Sequence, residues 1–509
     1  MSKIFKNLGC LVLITIFAFL LKNQISAYNI AGIIGIYFSV YSFIKLNAEE
    51  FENFEGEEII TILISYMLQK AQTLLYKEVY KNKIYLTVNI IMMFIFLGIF
   101  LYKYRKKKNI SLENIWNSFC NFLIITIPFF LIIGSKFPIL ILIINIIQSV
   151  RKKECIWDKD IKKIYISILC LILFSLTSFI GNDIDSSQIK MFRRFAENLI
   201  MLMLFLQLKV SDENIKKIVS VGISSAVIPI IPVIVQFLQM KNLYYRYGED
   251  NANIWGLEAV FWTIILLYFI LFKNKKECIL LYLVYILGNI LSGSRGAILA
   301  MIIVNILLLV YKNINRVKIL ISIFIFSILV IVGLLNTNNR ISYTYRLIKN
   351  EKKIDNSSAV RLVIYKESWE QFKLKPVNGF GFDGYNKTSF KRNLSEGQKY
   401  DYIKTIGYSA KHSHNNILNF LCTTGILGAI SYVSVLFFML RKIIENMLLI
   451  QNKDGFILAL GIIMSYELCG LVDTSLFYGS QQRLMYFIVG LYIAYITPKI
   501  SFSKKEKSE

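Results

Sequence analysis

The 509-residue chain is 55% hydrophobic, with mean hydropathy +0.54 and a formal net charge of +25. One soluble core of this size cannot hide so much apolar surface, and the apolar residues come in blocks about as long as the roughly 20 residues a bilayer core requires. Basic residues sit mostly between the blocks, so the charge reads as membrane topology, and a nucleic-acid partner is not expected.

Taken in order, the apolar blocks predict spans at about 8–21, 29–45, 58–76, 84–102, 117–134, 137–150, 161–180, 191–208, 217–238, 254–272, 278–292, 296–311, 319–335, 415–440, 455–472 and 483–497. The first block is followed by charge and a second block, so it reads as a span rather than a cleaved signal. The expected fold class is an all-α polytopic membrane protein of about 12–16 transmembrane helices. Basic runs at Arg105–Lys108, Arg151–Lys153, Lys273–Lys276, Lys312–Lys318, Arg441–Lys442 and Lys504–Lys507 all fall on one side, which is therefore cytoplasmic. That parity divides the chain into an N-terminal bundle (1–335), a large extracytoplasmic loop (336–413), and C-terminal helices with a cytoplasmic tail (414–509). The loop holds 15 Lys/Arg against 7 Asp/Glu. Long loops translocate regardless of charge, so topology does not explain this excess. Seven cysteines lie mostly in apolar blocks without a CxxC, and neither disulfides nor a zinc site is expected.

Polar residues near membrane depth are costly and therefore informative. Four places stand out. Arg246 to Asn253 forms an outer loop before a span; it suits substrate contact or a polar turn that caps the next helix. In Ser292-Gly293-Ser294-Arg295-Gly296, Arg295 stands among small residues at the outer interface. It reads equally as a phosphate-gripping guanidinium or as a hairpin arginine reaching to headgroups. In the loop, Arg361, Tyr365, Trp369 and Phe372 share one helical face. Alone this pattern favours an amphipathic helix lying on the membrane; the alternative is an arginine and aromatics that receive a sugar phosphate. Last, His412-Ser413-His414-Asn415-Asn416 contains the only two histidines, at the start of a span. Asn415 suits the helix cap, the helix start welcomes an anion, and an imidazole there is a candidate general base. No carboxylate stands at a fixed spacing from the two histidines, so a metal site is not expected. Glu258 and Glu467, inside spans, are expected to be paired within the bundle.

In this order, the residues resemble the O-antigen ligase and polysaccharide polymerase family of bacterial membrane glycosyltransferases. The resemblance rests on Ser294-Arg295-Gly296 at a span end and on Arg361, Trp369, Pro376, Gly379 and Gly381 in the large outer loop. It continues with His414-Asn415 opening a span that contains Gly425 and Gly428, and with the polar loop from Arg246 to Asn253. It covers about residues 240–440; the first 200 match only as generic spans. It implies a GT-C-like helical fold in the bacterial inner membrane, with the site on the extracytoplasmic side. It also implies an inverting transfer that needs no metal or other cofactor, from a glycan on a polyprenyl diphosphate such as undecaprenyl diphosphate to a glycan acceptor. Arg295, Arg361 and His414 match the family's catalytic residues, with Arg246, Asn253, Tyr365, Trp369, His412 and Asn415 as candidate substrate contacts. Membrane lipids, a chain-length regulator and a flippase are the further partners such a system implies. The favoured activity is polymerisation of a capsular or O-antigen-type polysaccharide. The alternatives are ligation of a finished glycan to a lipid or protein and, from another class, a lipid-linked-oligosaccharide flippase. A transporter predicts inverted repeats, and none is found.

Overall fold

The computed structural model describes residues 137–151, 158–226, 252–276, 278–312, 356–385, 412–449, 454–477 and 479–506, with a few positions in 117–131 and 229–233. The expected spans at 8–21, 29–45, 58–76, 84–102 and 319–335, half of 117–134, the later part of 217–238, and Arg246 lie outside the described residues. Regular structure among the described residues is helical, without a strand.

The chain divides into two compact units interleaved along the sequence. The first takes 1–154, 210–241 and 276–281. Its described helices are α1 (Phe137–Arg151) and α4 (Asp212–Ser225). Lys217 and Glu213 pair at 2.6 Å one turn apart on α4; with Lys217 holding its carboxylate, Glu213 titrates below its ordinary value. The second unit takes 155–209, 242–275 and 282–509. It contains α2 (Lys159–Thr177), α3 (Ser186–Phe205), α5 (Ala252–Phe272), the part of α6 (Cys278–Ser292) from Tyr282 onward, α7 (Arg295–Tyr311), α8 (Asn356–Leu374), α9 (Asn416–Leu449), α10 (Asp454–Gly470), a 3-10 turn (Ser475–Phe477) and α11 (Gly479–Glu506). Helix α8, from the expected large loop, packs on α9 within this unit.

Within this unit α5 is the innermost helix. It is apolar all round and buried from Trp255 to Tyr268 apart from Glu258, as such a helix must be. It packs on α7 and α10, while α9 packs on α2, α8, α10 and α11. Among the described residues two helices, Ala252–Phe272 and Asn416–Glu445, are long and apolar enough to cross a membrane, and 138–150, 278–292 and 295–311 are shorter apolar helices. Leucines and isoleucines such as Ile166, Leu169, Leu173 and Leu176 on α2, and Ile430, Val433 and Phe437 on α9, stand exposed in stripes. Polar groups inside the bundle find partners: Gln481 donates to Glu258 at 2.9 Å, Tyr432 to Glu467 at 2.6 Å and Asn198 to Gln482 at 2.7 Å. The expected pairing of Glu258 and Glu467 is thus present.

Helix α9 is broken at Gly425, where φ is 70° and ψ −169°. The break removes the helical bond from the Ile426 N–H to the Cys422 carbonyl. The turn that follows α8 supplies both missing partners. Phe380 N–H donates to Cys422 O at 3.0 Å, and Ile426 N–H donates to Pro376 O at 2.8 Å. The fit is backbone against backbone, because a Cβ on Gly425 would stand 2.1 Å from the Val377 carbonyl oxygen. Only glycine satisfies both the conformation and the clearance.

At the far end of α9, Lys442 is buried. Its ammonium meets Asp158, the N-cap of α2, with Glu445 at 3.3 Å and Asp160 at 3.8 Å. Lys273, just beyond α5, pairs with Asp454 of α10 at 3.5 Å. The antiparallel run of the helices puts the starts of α5, α7 and α9 and the end of α10 at the opposite end of the unit.

Candidate active site

At that opposite end His414 immediately precedes the helix cap. The Asn415 side chain accepts from Leu418 N–H at 3.0 Å, so α9 begins where the sequence places it. His414 has φ 52°, a left-handed conformation uncommon for a residue with a side chain. Buried Ser413 helps fix this turn, donating to the Asn415 carbonyl at 2.8 Å.

The turn presents His414 Nδ1 to Asp473 Oδ1 at 2.9 Å. Asp473 lies just past α10, and its carboxylate has two further donors: Asn253 Nδ2 reaches Oδ2 at 2.7 Å and Thr474 N–H reaches Oδ1 at 2.8 Å. A carboxylate with donors on both oxygens is held in one orientation, and it accepts the proton that His414 carries on Nδ1. In the neutral ring that carries its proton on Nδ1, the other nitrogen, Nε2, is the acceptor. About 28% of the His414 side chain is exposed, so Nε2 is not sealed inside the bundle.

Helix α8 joins the cluster through Tyr365, whose hydroxyl bridges the backbone oxygens of Leu471 at 2.8 Å and His414 at 3.2 Å. Burial raises the Tyr365 hydroxyl above its ordinary value; Arg361 opposes this and Asp473 adds to it. Both charges therefore act on the same hydroxyl. Arg361 is half-buried one turn before Tyr365, and Trp369, one turn after, is 44% exposed and packs on Phe372 at 5.2 Å. Arg295 is the first residue of α7, half-buried. Its neighbour Gly296 abuts Val472 so closely that a Cβ there would stand 2.2 Å from the valine methyl. The turn that carries Arg295 is thereby pressed onto the loop that carries Asp473.

The fold thus draws Asn253, Tyr365, His414 and Asn415 into direct contact with the 471–473 loop, with Arg361 one turn before Tyr365 and Arg295 on the turn that abuts Val472. Trp369 stays on the exposed side of α8. Asp473 is the residue that the sequence reading lacks. It also revises the reason given against a metal, since a carboxylate does stand beside the histidines, 59 residues along the chain from His414. His412, His414 and Asp473 offer ligand atoms that all lie within 4.8 Å of one another.

Residues 278–433 match the family model described as O-antigen ligase. The match supports the O-antigen ligase and polymerase family that the sequence resembles. No curated protein matches the chain. The O-antigen ligase match includes Arg295, Arg361, Tyr365, His412, His414 and the Gly425 break, whereas Asn253 and Asp473 lie outside it. The cluster therefore joins residues inside the matched stretch to two residues that the rest of the chain supplies.

Proposed function

We propose that this protein is a multi-pass inner-membrane glycosyltransferase that joins polyprenyl-diphosphate-linked oligosaccharide units into a surface polysaccharide on the extracytoplasmic side. The observation that carries the reading is the His414–Asp473 pair at the mouth of a helical bundle, in a chain whose residues 278–433 match the O-antigen ligase model. The lipid-sized helices and exposed apolar stripes support membrane insertion through many spans.

In the proposed step, His414 Nε2 takes the proton from an acceptor hydroxyl while that oxygen bonds to the anomeric carbon of the donor. The bond from that carbon to the diphosphate breaks, and the polyprenyl diphosphate leaves with the electron pair. Arg361 and Arg295 hold the diphosphate and stabilise the charge that it gains. Asp473, itself positioned by Asn253, keeps His414 in the required tautomer. With no carboxylate placed as a nucleophile among the described residues, a single displacement inverts the anomeric centre. Trp369 offers an exposed face for a sugar ring, and the basic loop attracts the anionic donor.

The experiment supplies lipid-linked repeat units alone to purified protein and measures chain growth. Growth that is lost in His414→Ala, Arg295→Ala and Arg361→Ala, each still accumulating in the membrane, is the expected result. Products of normal length in all three variants would overturn the assignment. A second reading, ligation of a finished glycan, draws support from the description of the matching family as O-antigen ligase. It predicts no growth from repeat units alone, and product only when a lipid or protein acceptor is added.

A further inference from the structure

The transfer step gives His412 no task, yet its ring lies 4.4 Å from that of His414. Two histidines one residue apart point to opposite sides in an extended chain. The left-handed φ of 52° at His414 undoes that alternation and brings the rings together. Such a conformation costs on the order of 1–3 kcal/mol and persists only where the surroundings enforce it. Here they do so through buried Ser413 and the Asn415 cap.

The fold adds a carboxylate that is already oriented. Asn253 and Thr474 hold Asp473 from behind, as outer partners hold the ligands of metal centres. Ligand atoms about 2.0–2.2 Å from a tetrahedral ion stand roughly 3.3 Å apart. The three candidate atoms lie within 4.8 Å of one another, so closing on an ion takes shifts of side-chain size. Both histidines are part-exposed, which leaves a path for the ion and a fourth position for water. Two imidazoles with one carboxylate suit zinc, cobalt or nickel; magnesium and calcium prefer an all-oxygen shell.

We propose that His412, His414 and Asp473 form a binding site for a zinc-class divalent cation, and that occupation of this site removes the His414 imidazole from the transfer reaction. The second half rests on His414 acting as the base.

The test titrates cobalt(II) into the purified full-length protein in lipid nanodiscs. Expected are visible absorption of the four-coordinate type, one ion per chain, displacement by zinc and indifference to magnesium. His412→Ala should weaken binding by about 100-fold or more, and His412→Cys, which keeps a ligand, should recover most of it. Absence of the cobalt spectrum, or equal affinity in His412→Ala, would overturn the site. Zinc at saturation should lower product formation by the wild-type protein at least about tenfold, as expected when a general base is removed, and chelation should restore it. Full activity with the ion bound would overturn the inhibition, as would activity that requires the ion. If His414→Ala keeps its product while cobalt still binds the wild type, the transferase reading falls and the ion site stands. Loss of product in that variant without any cobalt binding gives the reverse.

Discussion

The two ends of α9 each carry a basic side chain among carboxylates, and they differ in what is left open. Lys442 is 1% exposed and surrounded by Asp158, Asp160 and Glu445, so its charge is spent inside the bundle. His414 is 28% exposed, has one carboxylate, and keeps a ring nitrogen for another partner. Breaking a buried ion pair costs several kcal/mol because it strands the remaining charges. A part-exposed His–Asp pair holds geometry without closing the site. One helix thus carries a locked end and an open end about 40 Å apart at 1.5 Å per residue.

Five measurements can break or sharpen this contrast. The largest effect belongs to the open end: His414→Ala should lower polymer formation by about 10²–10⁴-fold with an unchanged melting temperature. A parallel fall in melting temperature would make His414 another structural group. At the closed end, Lys442→Ala should destabilise the detergent-solubilised protein by about 3–5 kcal/mol, with normal turnover per folded molecule. An unchanged unfolding curve would show that the cluster is not locked. Between the ends, Gly425→Ala should cost about 2–4 kcal/mol by strain and backbone clash, measurable as early protease cleavage after α8. Asp473→Asn should lower turnover by about 10–100-fold with the donor KM little changed, as expected for a residue that acts through His414.

The smallest effect is pH-dependent. Asp383, half-buried beside Asp185, titrates at about 7 because burial penalises its charge and Asp185 repels it. A carboxyl raised on folding binds a proton more tightly in the folded state, so its contribution is complete below about pH 4 and is lost as pH rises through 7. Asp383→Asn should therefore match wild-type stability at pH 4 and exceed it by about 1–3 kcal/mol at pH 8. A constant difference across that range would point to the positive φ of Asp383 rather than its charge.

Much of the second unit is legible in sequence, because each helix reports its own apolar run. The spans expected at 254–272, 278–292 and 296–311 agree with α5, α6 and α7 to within two residues, and the Asn415 cap falls where side-chain chemistry places it. Asp473 is not legible in the same way. In Leu471-Val472-Asp473-Thr474 it reads as a polar turn after a span, and nothing local encodes its approach to a histidine on another helix. A signal did exist: helix parity assigns the end of α10 and the start of α9 to one side of the membrane, so a lone carboxylate there was a candidate partner. The break at Gly425 is hidden for a related reason. Thr423-Thr424-Gly425 continues an apolar helical run, and only the turn from Pro376 to Phe380 reveals the gap that it fills.

That inserted turn has a consequence for modularity. Residues 376–380 complete the hydrogen bonding of α9, so the segment after α8 is not an appendage that can be exchanged by itself. A chimera given a relative's loop would leave the Cys422 carbonyl and the Ile426 amide to find new partners within the bundle, unless the grafted turn carried the same complement. Any exchange of this segment would have to treat the 376–380 turn and the first turns of α9 as one transplantable piece.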